Sequence, residues 1–242
     1  MRAGLRHERS DERGMTLLEL MIGLFLGGVL MVGVLNLWQQ AQLAYMHGAE
    51  AADLQQNLRV GMDRMVRIIQ AAGVNPKNRK YAGISPDDAA FTAFRFAGRN
   101  CLRLYADLDG VNNVQGTDEN VNFRWTGTAL DPLLQEAGGG PDTGVADPPG
   151  TFVAGVSTGN QELALNIVAN PGGVDIFQYF TGPSDATPNT QLLPPAGVCA
   201  NMTDVNRTRI GRIVITLTGQ ATVAGQTFKK TLVSEARPRN AP

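Results

Sequence analysis

Residues 15–38 read MTLLELMIGLFLGGVLMVGVLNLW, and the fold turns on this stretch. From Leu20 to Leu35 every residue is apolar or glycine, and no Asp, Glu, Lys or Arg falls between Glu19 and Glu50. As a helix, Met15 to Trp38 is long enough to cross a hydrocarbon layer of about 30 Å. Ahead of it lies MRAGLRHERSDERG, a polar segment with Arg2, Arg6, Arg9 and Arg13 set against Glu8, Asp11 and Glu12. An arginine-bearing flank before an apolar run stays on the cytoplasmic side, so the C-terminal body is expected outside.

A secretory signal would end its apolar run in a small-x-small cleavage site, and none follows here. A plain transmembrane anchor fits the length but gives no reason for Glu19. An ionised carboxylate near the membrane interior costs about 2.5–3.5 kcal/mol on insertion scales, so such residues have a partner and a task. Gly14-Met15-Thr16-Leu17-Leu18-Glu19 resembles the processing site of type IV prepilins. In that family a membrane peptidase cuts after the glycine and methylates the new N-terminus. The resemblance therefore implies cleavage between Gly14 and Met15, N-methylation of Met15, and Glu19 as an assembly residue. Cleavage creates an amine at Met15, and a carboxylate in the same apolar layer offsets the cost of burying either charge alone.

The helical pattern continues past Trp38. Leu54, Leu58, Met62, Met65, Ile69 and Ala72 recur at three- and four-residue steps and share one face. Glu50, Asp53, Arg59, Asp63, Arg64 and Arg67 fill the others, and Gly73 with Asn75-Pro76 supplies a stop. One helix from about Met15 to Ala72 follows, roughly 85 Å long at 1.5 Å per residue. Its first half is apolar all round, and its second is amphipathic. Glycines 23, 27, 28 and 33 in the apolar half either let helices approach closely or favour local melting.

Beyond Pro76 come short β-like runs: Phe91–Phe96, Cys101–Tyr105, Val121–Trp125, Val174–Phe180, Ile210–Thr218 and Thr227–Glu235. Several alternate apolar with polar residues, as in a sheet with one covered face. The amphipathic half of the helix is the expected cover. The predicted class is thus α+β, a long N-terminal helix packed on an antiparallel β-sheet. The predicted segments are a leader at 1–14, a transmembrane and filament-core part at 15–38, an amphipathic helix at 39–75, and a β-rich body at 76–242. The glycine-rich stretch Gly138–Gly150 reads as a surface loop; without a following Lys-Ser/Thr pair and helix it is no phosphate cradle.

The run Asn57 to Arg67, followed by Ala72-Gly73-Val74-Asn75-Pro76, looks like the helix end of PilW-type minor pilins. So does the later order: an acidic loop, a strand with Phe177 and Tyr179, an Ile215-Thr216-Leu217 strand, and a terminal Arg237 to Asn240. Such a subunit primes or caps a type IV pilus. The partners implied are other pilin subunits, the prepilin peptidase, the inner-membrane pilus assembly machinery, and the lipid bilayer before assembly. The implied location is a single pass through the inner membrane with the body in the periplasm, then the pilus at the cell surface. A type II secretion pseudopilin shares the N-terminus, and an anchored extracytoplasmic binding or sensor domain is the alternative from another class.

The chain has 242 residues and a net charge of −1, so no global basic field calls for nucleic acid. Arg207, Arg209 and Arg212 form a local basic cluster, read as a solvated strand edge. With the body outside the cytoplasm, Cys101 and Cys199 are expected to form a disulfide worth about 2–4 kcal/mol, against the alternative of two unrelated thiols. Asp107, Asp109, Asn113 and Asp118 fall near the spacing of a calcium-wrapping loop. Val111 stands where a ligand is needed, so the rival reading is an Asx-rich turn, and Ca²⁺ is the one cofactor considered. An enzyme is not expected. His7 lies in the leader, which leaves His47 on the membrane-side helix, far from a nucleophile, and no metalloprotease, Walker or C-x-x-C pattern occurs.

Overall fold

The structure is a computed structural model that describes residues 15–72, 94–106, 120–137, 160–197 and 199–238. Helix α1 runs Leu17–Ala71, close to the expected span. The chain divides into two compact units, residues 1–48 and 49–242. In the first, the described residues are a helix with its apolar side chains in the open: Leu24, Phe25, Leu30 and Trp38 are all exposed. A helix that is apolar on every face is one suited to lipid or to other helices.

The second unit is the folded body. Its strands are β1 (Phe94–Ala97), β2 (Cys101–Tyr105), β3 (Asn120–Arg124), β4 (Leu133–Ala137), β5 (Asn160–Ala164), β6 (Ile167–Val168), β7 (Phe177–Thr181), β8 (Gln191–Leu192), β9 (Ile210–Val223) and β10 (Gln226–Ala236). A short helix, α2 (Asp204–Thr208), precedes β9. The fold is α+β as expected, with every strand pair antiparallel. The strands divide between two sheets where a single sheet was anticipated. One follows the order β1-β2-β3-β4-β5 and the other β10-β9-β7-β8, with β6 also on β9.

The amphipathic part of α1 supplies the apolar seam for both. Leu54, Leu58, Met62, Met65, Ile69 and Ala72, the residues of the sequence periodicity, are all buried. They share a core with Phe94, Phe123, Phe177, Ile215 and Leu217. Each of the larger of these side chains, Ala72 apart, contributes about 1.5–3 kcal/mol on leaving water. Two glycines set how closely helix and strands approach. A Cβ at Gly61 would stand 2.7 Å from the Leu163 carbonyl oxygen, and one at Gly219 would stand 2.8 Å from the Leu54 side chain. Arg64 Nε donates to Gln135 Oε1 at 3.3 Å, and the Leu165 N–H donates to Asn57 Oδ1 at 3.1 Å. The sheets are also joined directly: buried Tyr179 donates its hydroxyl to the Gly98 carbonyl at 2.7 Å, and the Phe177 N–H reaches the Arg99 carbonyl at 3.0 Å.

Candidate processing and assembly site

The helix begins with a reciprocal cap. The Thr16 backbone N–H and its hydroxyl each donate to Glu19 Oε2 at 2.9 Å, and the Glu19 N–H donates back to Thr16 Oγ1 at 3.3 Å. The Thr16 carbonyl accepts the first helical bond, from the Leu20 N–H at 3.2 Å. Donors that a helix start leaves unpaired are satisfied here by its own side chains, and a carboxylate in the first turn also meets the positive end of the helix dipole. Glu19 is therefore held at the head of the helix, three residues behind Thr16, and Met15, the residue before the cap, is exposed. Thr16 was the residue the sequence reading passed over. The signal was present, since Thr-x-x-Glu before an apolar run is the sequence form of this cap.

Past the cap, α1 contains an 18-residue window of mean hydropathy 2.3, long and apolar enough to cross a membrane, with none of it buried in the body. The arrangement can do two things chemically. It holds one negative charge at the apolar end of the helix and offers an uncovered apolar surface to lipid or other helices.

A family model described as the prokaryotic N-terminal methylation motif matches residues 9–35, which include Gly14, Met15, Thr16, Glu19 and the apolar run as far as Leu35. That match supports a type IV pilin-like prepilin. No curated protein and no solved structure matches the chain. A prepilin-type N-terminus fits a pilin or pseudopilin-like subunit, a structural protein rather than an enzyme. It implies, in general, processing by prepilin peptidase, association with other pilins, and membrane anchoring by a single N-terminal helix.

The other expected sites are distributed as follows. Gly14 lies outside the described residues, and so do Asp107, Asp109, Asn113 and Asp118. Cys101, at the start of β2, is bonded to Cys199, with Cα atoms 5.3 Å apart and 98 positions between them in sequence. His47 lies within α1. Two members of the basic cluster are already paired with carboxylates. Arg209 Nε pairs with Asp185 Oδ2 at 2.7 Å, and Arg212 Nη1 pairs with Glu235 Oε2 at 3.0 Å. Arg212 also lies over the Phe180 ring, 4.1 Å from its centre. Charges already met by local carboxylates have little left for a polyanion.

Proposed function

We propose that the chain is a minor pilin of the PilW type, a low-abundance subunit that primes or caps a type IV pilus. The observation that carries this reading is the Thr16–Glu19 cap at the head of a bare apolar helix, inside the segment matched by the methylation motif. In this reading the peptidase cuts between Gly14 and Met15 and methylates Met15. The new positive amine then lies beside a carboxylate that Thr16 already holds in place. Paired with an amine, its own or a neighbour's, Glu19 can enter a filament core as half of an ion pair rather than as a lone charge. The body waits in the periplasm and is carried onto the pilus, with the Cys101–Cys199 bond closing its long loop in an oxidising compartment.

The test is N-terminal sequencing and mass measurement of the native protein alongside Glu19→Ala. The expected product begins at N-methylated Met15, and Glu19→Ala is cleaved normally yet missing from sheared pili. A native chain that still begins at Met1 would reduce the helix to a simple tether.

A further inference from the structure

Residues 199–210 read CANMTDVNRTRI and contain two Asn-x-Thr triplets, Asn201-Met202-Thr203 and Asn206-Arg207-Thr208. With a middle residue other than proline, such a triplet is the acceptor pattern for N-linked glycans on surfaces outside the cytoplasm. The pattern is short, so the fold has to say which asparagine can be reached. A carboxamide nitrogen shares its lone pair with its carbonyl and is a poor nucleophile. A transferase must therefore take the carboxamide, and the hydroxyl two residues on, into its own grip. Both have to be free to leave the fold.

Asn201 is not free. Its Oδ1 accepts the Ala97 N–H at 3.0 Å, and the Met202 N–H donates to the Ala97 carbonyl at 3.1 Å. Met202 is buried, and Cys199, two places ahead of Asn201, is tied to Cys101. Drawing Asn201 out would peel this segment off β1. Asn206 stands differently. It lies in α2, a helix of five residues that has no side-chain cap at Thr203. Among the described residues its carboxamide has no hydrogen-bond partner. Thr208 Oγ1 donates to the Val205 carbonyl at 2.8 Å, within the same turn. Val205 is 70% exposed, so the turn meets solvent. A helix this short is marginal by itself, and opening it frees the triplet without unpairing β9, which begins at Ile210.

We propose that Asn206 is an N-glycan acceptor, with a lipid-diphosphate-linked oligosaccharide as donor. The Asn206 carboxamide nitrogen attacks the anomeric carbon of the first sugar. A C–N bond forms, and the bond from that carbon to the diphosphate oxygen breaks. Lipid diphosphate leaves with the electron pair, and the amide gives up one proton. No oxidant or reductant takes part. The proposal rests on the reading that the body lies outside the cytoplasm. There the apolar helix tethers the body, before assembly, to a membrane that can also carry the lipid-linked donor, so the two meet in a plane rather than in bulk solution.

The test is mass measurement of the native protein from the cells that make it, followed by fragmentation of the peptide containing Asn206. The expected mass exceeds that of the bare chain by an oligosaccharide, and fragmentation localises the excess on Asn206. Asn206→Gln and Thr208→Val should each lose it, and Thr208→Ser should keep it. Because the Asn206 carboxamide bonds nothing in the described body, Asn206→Gln should melt as the wild type does, which separates loss of the glycan from loss of the fold. A native chain of bare mass, or an excess that Asn206→Gln leaves in place, overturns the proposal. The N-terminal peptide of the same sample reports cleavage at Gly14. A cleaved but bare chain sinks this proposal alone, and a glycosylated chain that still begins at Met1 sinks the filament reading alone.

Discussion

Arg209 grips Asp185 with two hydrogen bonds, Nε to Oδ2 at 2.7 Å and Nη2 to Oδ1 at 2.9 Å, while the Thr187 N–H donates to Asp185 Oδ1 at 2.9 Å. These bonds, Arg209 first and the Thr187 backbone next, hold the Asp185 carboxyl well below the usual carboxylate range. A carboxylate with a depressed folded pKa stabilises the fold fully above its unfolded value, about 3.9, and loses that contribution as pH falls below it toward the folded value. Asp185→Asn is therefore expected to melt a few degrees below the wild type at pH 7, with the gap narrowing in acid. Calorimetry at pH 7 and near pH 2 checks this; a gap that holds or widens in acid rules the clamp out. The grip was not legible in the sequence, because Asp185 and Arg209 stand 24 positions apart and only the return of β9 alongside β7 unites them. Thr16 and Glu19 were legible, since three residues of helix suffice to bring them together.

At the scale of elements, α1 and the strands it covers make contact at Gly61. In an isolated helix Gly→Ala gains about 1 kcal/mol. Here the added methyl would stand 2.7 Å from the Leu163 carbonyl oxygen and 3.2 Å from the Ala164 methyl, so β5 must shift to admit it. Overpacking of this kind costs about 1–3 kcal/mol, enough to reverse the sign. Gly61→Ala should lower the melting temperature; a rise would show that helix and strand are not in contact there. The helix was readable because its periodic residues are those it buries. β2 was readable too, with the predicted Cys101–Tyr105 reproduced. β4 was not: LLQEA carries no alternation of apolar and polar residues, yet Gln135 and Glu136 are both buried. Glu136 meets Arg124 on β3 at 2.9 Å and Gln135 meets Arg64 on α1, so partners distant in sequence make a polar strand buriable. The β9–β10 turn was hidden for another reason. It is Ala224-Gly225, with φ of 49° and 80°, rather than the Asn-Gly or Asp-Gly that marks such hairpins, and β9 accordingly extends five residues beyond the predicted Thr218.

For the molecule as a whole, the question is how much of α1 the body requires. Among the described residues the apolar core contains none before Leu54, while the large apolar side chains from Met15 to Met46 are exposed. Stability of the body and insertion of the helix therefore rest on different residues of one continuous element. A fragment beginning at Ala49 keeps every core contact, and its new first turns contain Glu50 and Asp53, whose charge suits a helix N-terminus. It should dissolve without detergent and melt within about 2 °C of the full chain, a shift equivalent to about 0.5 kcal/mol for a domain of this size. A fragment beginning at Asp63 loses Leu54, Leu58 and Met62, each fully or nearly fully buried. At about 2–5 kcal/mol for emptying each such site, the loss equals or exceeds the whole stability of an ordinary domain. The second fragment should show no cooperative transition. If the Ala49 fragment instead aggregates or melts far below the full chain, the residues before Leu54 help hold the body together, and insertion and folding are not separable along α1.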